Sequence, residues 1–395
     1  MSGLRTAATA WEADLARRLA ERDEAGLRRR LVPVDRPIGP VVERDGRRLV
    51  NLSSNNYLGL AGHPMIEAAM GEGARRGAGS TASRLVVGTD PETLALEQEL
   101  AAWKGTEAAL LFGSGYAANL GVLTALLGLG DAVFSDSLNH ASIIDGCRLS
   151  GATIHRFRHC DAGHLATLLE SAGDASRKLV VTESVFSMDG DVAPLAELAD
   201  LAERHDAALV VDEAHAAGVF GPRGEGLVRE LELGDRVDLT IGTLGKAFGV
   251  YGAYVAGAQV WIDWLVNTCR PFVFTTALPP AVVSGVRAAL ELVAEASELR
   301  DSLRSRAHMF RSRLAALGLD TARSTTQIVP VLVGANERAL AFSEALERNG
   351  VLGVAIRPPT VPEGTARIRL SLTAAHTDGH IEQALAAVEA AARAV

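Results

Sequence analysis

Residues 108–130 read AALLFGSGYAANLGVLTALLGLG, a run without a charged residue that is long enough to cross a bilayer. Five glycines interrupt it, together with Ser114, Asn119 and Thr124, and Gly113-Ser114-Gly115 falls where a turn belongs. The stretch therefore reads as a buried strand, a turn and a helix, because clustered Gly and Ser mark turns between periodic segments. Outward from it the same pattern repeats. Apolar runs at 109–112, 132–135, 153–157, 179–182, 208–211, 238–242 and 252–256 are separated mostly by helical patterns or Gly-rich turns. Strands that alternate with helices predict an α/β fold, a mainly parallel seven-stranded sheet with helices on both faces.

The flanks differ. Before this region, Trp11, Leu15 and Leu19 recur every four residues among charges, which predicts an amphipathic helix within an N-terminal helical segment, 1–50. A large α/β domain then spans 51–285. It includes a helix over Glu92–Trp103 with Thr89 or Asp90 as cap and Pro91 in its first turn. Residues 286–395 read as a smaller α+β domain. It has a helical region reaching Leu317, strands near 327–333, 353–356 and 366–371, a helix near 337–348 and a terminal helix.

Composition narrows the function classes. The chain has 395 residues, 48% hydrophobic and 22% charged, enough for a large core and incompatible with a disordered chain. Lys+Arg 39 against Asp+Glu 48 leaves −9, so no basic footprint points to nucleic acid. Cys147, Cys160 and Cys269 are odd in number and widely spaced, which implies no disulfide framework and fits a reducing compartment. The N-terminus has no apolar core of signal-peptide type. The expectation is a cytoplasmic protein without a membrane partner.

Ligands of open parallel sheets bind beyond the carboxyl ends of the strands. Gly113-Ser114-Gly115-Tyr116 follow the first apolar run, and Asp136, Asn139 and His140 the second. Glu183, Ser184 and Ser187 follow 179–182; Asp212, Glu213 and His215 follow 208–211; Thr243 and Lys246 follow 238–242. Glycines, hydroxyls, two histidines, a carboxylate and a lysine thus converge on one rim. The glycine turn matches the G-x-G-x-x-A form of the dinucleotide fingerprint, with Asp131 or Asp136 at a plausible distance for a ribose carboxylate. It equally suits any phosphate at a helix N-terminus, or mere close packing of helix on strand.

Lys246 lies in TLGKAFG, residues 243–249. Its small, apolar flanks leave an amine reachable by a cofactor while water is excluded, and desolvation lowers a lysine pKa toward that of a nucleophile and base. A P-loop is excluded: it needs glycine where Thr240 stands and Ser or Thr where Ala247 stands. Asp212 ends a buried strand, where a carboxylate needs a cationic or N–H partner. A pyridinium nitrogen supplies one, and lysine with an aspartate on the ring nitrogen is the pyridoxal-phosphate pairing; a helix cap is the plainer reading. His215 could reach the same ring's oxygen and His140 could stack on its face, or each could be a satisfied core histidine. His155, His159, Cys160 and His164 do not form a convincing metal set, since Arg156 and Arg158 crowd them, and no metal is expected. Asp189 and Asp191, around Gly190, read as a turn. No G-x-S-x-G elbow supports a hydrolase.

The stretches SSNNYLGL (53–60), SVFSMDGD (184–191), DEAH (212–215) and TLGK (243–246) resemble the α-oxoamine synthases, fold-type I pyridoxal-phosphate enzymes that condense an amino acid with an acyl-CoA and release CO₂. The resemblance runs from about Leu27 to His376 with every motif in family order. The stretches RPPTVP (357–362) and GTARIRL (364–370) look most like the member that joins L-alanine to a pimeloyl thioester, on CoA or a carrier protein, in biotin synthesis. The resemblance implies pyridoxal 5'-phosphate (PLP) held by Lys246, Asp212 on its ring nitrogen, His215 on its ring oxygen and His140 stacked on the ring and touching substrate. It places Gly115, Tyr116, Ser187 and Thr243 around the cofactor, and Thr276 at the phosphate in a neighbouring subunit of a homodimer. Arg369, helped by Asn55, would hold the amino-acid carboxylate, and Arg28 and Thr360 would contact the acyl substrate. The family's glycine-rich substrate loop appears here as GSTASR (79–84), with Thr81 and Ala82 at positions often glycine. Within the family the alternative is a glycine acetyltransferase; from another class it is a nicotinamide-dependent oxidoreductase using the Gly113 turn.

Overall fold

A computed structural model describes residues 9–35, 37–173 and 175–395. Its centre is a seven-stranded sheet. The strands are β1 (Ala108–Phe112), β2 (Ala132–Asp136), β3 (Thr153–Phe157), β4 (Lys178–Glu183), β5 (Ala207–Asp212), β6 (Leu239–Thr243) and β7 (Ala253–Gly257). Their order is β1-β7-β6-β5-β4-β2-β3. β2, β3, β4, β5 and β6 run parallel, and β7 is antiparallel to both β6 and β1. Each apolar run read from the sequence is one of these strands.

Side chains alternate across a strand, so the sheet builds two cores. Phe112, Val133, Val181, Val210 and Ile241 face one layer of helices, including 115–126, 141–150 and 259–268. Leu111, Phe134, Val180, Val211 and Tyr254 face the other, which carries helices 91–104, 195–204 and 280–295. The uncharged 108–130 stretch is β1, a turn and helix 115–126. No helix of the described residues is long and apolar enough to cross a membrane. Local chemistry sets the boundaries. Asp90 caps helix Pro91–Lys104 by accepting the Thr93 N–H, and Gly105 ends it in the left-handed region at φ 73°, a conformation open to glycine without Cβ strain.

The region after 280 differs in detail from the expectation. The helical region reaching Leu317 consists of two helices, Pro280–Glu295 and Ser297–Ala316, and the strand expected near 353–356 is two short ones, Val351–Leu352 and Val354–Ile356. Ile328–Gly334, Ala366–Ser371 and Val354–Ile356 form an antiparallel sheet. Val351–Leu352 instead pairs with Arg47–Asn51, which forms a hairpin with Val41–Arg44. Among its described residues, the segment to residue 50 is thus helical only over Ala10–Glu24. That helix buries none of its residues, and Trp11, Leu15 and Leu19 are exposed.

One buried ion pair ties the sheet to its helical layer. Lys104 Nζ donates to Glu213 Oε2 at 2.6 Å and to the Glu225 carbonyl at 2.5 Å. Both side chains are almost wholly out of water. Removing one partner of such a pair strands the other charge. Lys104→Met is expected to cost about 3–5 kcal/mol in a denaturant-unfolding comparison with the parent protein.

Candidate active site

The rim inferred from the sequence is a cavity. It has a volume of about 180 Å³ and is lined by Gly115, Tyr116, Asn119, His140, Ser142, Glu183, Asp212, Ala214, His215, Thr243 and Lys246. Five different strand ends contribute, because β1, β2, β4, β5 and β6 all finish on this side. Helix 115–126 opens on it, with Ser114 as cap accepting the Ala117 N–H at 3.1 Å. Unpaired N–H groups of that first turn make a site for a phosphate.

Lys246 sits on the tight turn that follows β6. Gly249, at φ 70°, closes the turn, and a Cβ there would come within 2.4 Å of the Ala61 nitrogen, so only glycine fits. Lys246 Nζ lies 2.8 Å from His215 Nε2, and His215 Nδ1 lies 2.6 Å from the Tyr57 hydroxyl. Burial brings the Lys246 pKa down to about 8 against the pull of Asp212 and Glu183, with Arg369 adding to the lowering. Burial also holds His215 well below its ordinary value, helped by the positive charges of Lys246 and Arg369. A neutral imidazole has one donor and one acceptor nitrogen. Here Nε2 accepts from the amine and Nδ1–H donates to Tyr57.

Asp212 is fixed from both sides: Oδ2 accepts Asn119 Nδ2 at 2.7 Å and Oδ1 accepts the Ala214 N–H at 2.8 Å. Asn119 in turn donates to Ser142 Oγ at 3.0 Å, and Ser142 Oγ is 2.8 Å from His140 Nδ1. Asp212 thus does hydrogen-bond backbone as a cap would, while still facing the cavity with its charge. Burial, moderated by Asp212, lowers the His140 pKa, so an uncharged ring stands over the cavity.

The two neighbouring arginines separate cleanly. Arg367 is buried and ion-paired to Asp189. Arg369 is also buried, but its partners are neutral: Nε donates to the Ser187 carbonyl at 2.5 Å, Nη1 to Ser371 Oγ at 2.8 Å and Nη2 to Asn55 Oδ1 at 3.1 Å. No carboxylate among the described residues pairs with Arg369. A buried guanidinium without a counter-ion is a place for an anionic ligand.

Other expected residues stand outside this cavity. Ser187 contributes its carbonyl to Arg369, and its side chain does not line the cavity. Thr276 lies beside Gly113 in a separate small cleft, bridged to Ser83. Thr360 lines a second cavity of about 260 Å³ with Asn139, Phe186, Met188 and Pro362. Its hydroxyl accepts from Arg29, at 2.9 Å, whereas Arg28 pairs with Asp23 at 2.7 Å. Thr81, in the 79–84 loop, is held at φ 58°, a left-handed conformation that glycine adopts without Cβ strain.

The set around His159 has a structural explanation. Nδ1 is 2.9 Å from Asp136 and Nε2 is 2.8 Å from Asp191. Burial pushes the imidazole down, but the two carboxylates outweigh it and drive its pKa up to about 12. A charged histidine therefore fastens the 186–191 turn, which carries the Arg369 contact, to the end of β2. Asp136 also accepts the Leu138 and Cys160 N–H groups, and Asp131 is bound by Arg177 at 2.6 Å. Neither carboxylate is left for a ribose, which removes the main support for the dinucleotide reading.

Glu183, placed on the rim from the sequence, lines the cavity; Tyr57 and Asn119 also belong to the site, although sequence pattern assigns neither a role. Asn119 had a signal: it is four residues after Gly115 in a helix without a charged residue, hence on the same face. Tyr57 had none beyond its motif.

Comparison with known proteins places these features. Residues 47–388 match the family model for aminotransferase class I and II. A protein of Anaeromyxobacter dehalogenans named 8-amino-7-oxononanoate synthase is 56% identical over 369 residues, 93% of this chain and 92% of that one. The structure of a serine palmitoyltransferase from S. paucimobilis with a bound PLP–myriocin aldimine superposes with a TM-score of 0.91. It has 34% identity over 96% of this chain and 97% of the other. A structure of 8-amino-7-oxononanoate synthase from Francisella tularensis gives 0.76 at 27% identity, over 88% and 98%.

Proposed function

Because the chain belongs to the class I and II aminotransferase family and, within it, to the α-oxoamine synthases, we propose that it is the PLP-dependent enzyme that condenses L-alanine with a pimeloyl thioester to give 8-amino-7-oxononanoate, releasing CoA and CO₂ in biotin biosynthesis. The reaction class is carried by one observation: the Lys246 amine and the Asp212 carboxylate are buried in the same cavity beside a helix N-terminus. The substrates are supported by the 56% identity to a relative named for this product.

The residues present fit the cofactor. The chain has three lysines; Lys104 is consumed by Glu213, and Lys178 starts β4 at the opposite end of the sheet. Lys246 alone offers an amine to the cavity. Helix 115–126 with Thr243 would take the phosphate, Asp212 the ring nitrogen, His215 the ring oxygen and His140 a ring face. When bound, PLP supplies an electron sink for charge left on the amino acid's α-carbon.

The chain's own residues do the rest. Arg369 and Asn55 hold the amino-acid carboxylate, and this fixes which α-substituent points to Lys246. With its pKa near 8, the Lys246 amine is available in the uncharged form near neutral pH and takes the α-proton, a step that positioned bases speed by about 10²- to 10⁴-fold. Neutral His215 accepts a hydrogen bond without adding a second positive charge. The second cavity, with Thr360 at its wall, would take the acyl chain. Arg29, rather than Arg28, is the basic side chain that meets Thr360. Thr276 would serve a neighbouring subunit, as in a homodimer with shared sites, and the three free cysteines suit a cytoplasmic protein.

The test is product formation by the PLP-loaded protein from L-alanine and pimeloyl-CoA, followed by mass spectrometry. Glycine with acetyl-CoA and serine with palmitoyl-CoA run alongside. Preference for the first pair is expected. Preference for glycine would make the protein a glycine C-acetyltransferase, and preference for serine would follow the serine palmitoyltransferase likeness.

A further inference from the structure

Glu183 is the last residue of β4 and pairs in register with Asp212 at the end of β5. Two carboxyl groups therefore end side by side in the cavity that holds Lys246. Their surroundings are unequal. Asp212 accepts one N–H on each oxygen. The His140 backbone N–H acts only to lower the Glu183 pKa, while Glu183 Oε1 is buried and has no hydrogen-bond partner among the described residues. A dry carboxylate oxygen with no donor is costly in the charged form, and a proton removes that cost. Two adjacent carboxylates in one buried site cannot both ionise freely, so the proton goes to the less solvated one.

We propose that Glu183 is a positioning residue held as a neutral carboxylic acid, carrying the proton of the carboxyl pair so that Asp212 is left as the single anion offered to the cofactor ring. The inference rests on the proposed PLP chemistry and assigns a role in it to a residue that chemistry does not otherwise use. Burial first, and then Asp212, push Glu183 up to about 8. Lys246 and the His140 N–H pull the other way, and Asp136 adds to the rise. His215 is neutral, and the Arg369 charge acts on both His215 and Lys246. In mildly alkaline solution Glu183 therefore loses its proton and a second negative charge enters the site. That charge stabilises the protonated form of any basic nitrogen nearby, so the alkaline titration of the bound cofactor should move upward in the parent protein. Glu183→Gln mimics the neutral acid and lacks that charge at every pH.

The experiment is infrared spectroscopy of the carboxylic-acid carbonyl stretch as a function of pH, before and after PLP addition, in the parent protein and Glu183→Gln. A visible-absorbance pH titration of each PLP-loaded form accompanies it. The parent should show a buried-acid band at pH ~7 that fades as the pH rises through about 8, and the band should be absent from Glu183→Gln. In the PLP-loaded variant the cofactor titration should fall at lower pH than in the parent. A parent without the band, or a band that persists in Glu183→Gln, would overturn the assignment. Failure of the parent to take up PLP would instead overturn the proposed function, and the two results are separately visible.

Discussion

Lys246→Ala should fold, take up PLP weakly if at all, and lose turnover by at least about four orders of magnitude. The fold should survive because Lys246 has one side-chain hydrogen-bond partner among the described residues, His215 Nε2, and replacing a buried ammonium by a methyl group removes a desolvation cost. Activity should not survive, because the same amine is both the attachment point and the base. With Lys104 and Lys178 committed elsewhere, no other lysine can substitute. The measurement is thiol release from pimeloyl-CoA in the presence of L-alanine, with circular dichroism to confirm folding. Turnover within tenfold of the parent would remove Lys246 from the chemistry.

Asp212→Asn is the second large effect. An asparagine can still accept the Ala214 N–H through its carbonyl oxygen, so the turn after β5 should hold. It cannot keep a ring nitrogen protonated, and its amide would face the Asn119 amide donor-to-donor. Loss of an electrostatic partner aimed at developing charge costs about 10²- to 10³-fold in kcat. The expected result is that loss with KM for L-alanine changed much less, since Arg369 and Asn55 remain in place. A fall confined to KM, or no fall, would make Asp212 a structural cap.

Much of this was legible in the sequence, for a physical reason. Parallel strands buried on both faces read as short apolar runs, and the chain must turn where they end. The positions just past those runs include Gly115, His140, Asp212, His215, Thr243 and Lys246, all of which line one cavity. Pairings set by tertiary geometry were not legible. Arg367 and Arg369 share a strand face and a chemistry, and only their partners, Asp189 for one and neutral acceptors for the other, tell them apart. Asp131 and Asp136 look free for a ribose in the sequence, but Arg177 and His159 occupy them in the fold. Periodicity marked the Trp11–Leu15–Leu19 face as apolar, but the described residues do not bury it. Thr276 is likewise away from the Lys246 cavity of its own chain.

The most direct test of the central claim is to reduce the PLP-loaded protein with borohydride and map the modified peptide by mass spectrometry. The account predicts a single pyridoxyl-phosphate label on Lys246. A label on Lys104 or Lys178, or none after PLP has been supplied, would contradict it.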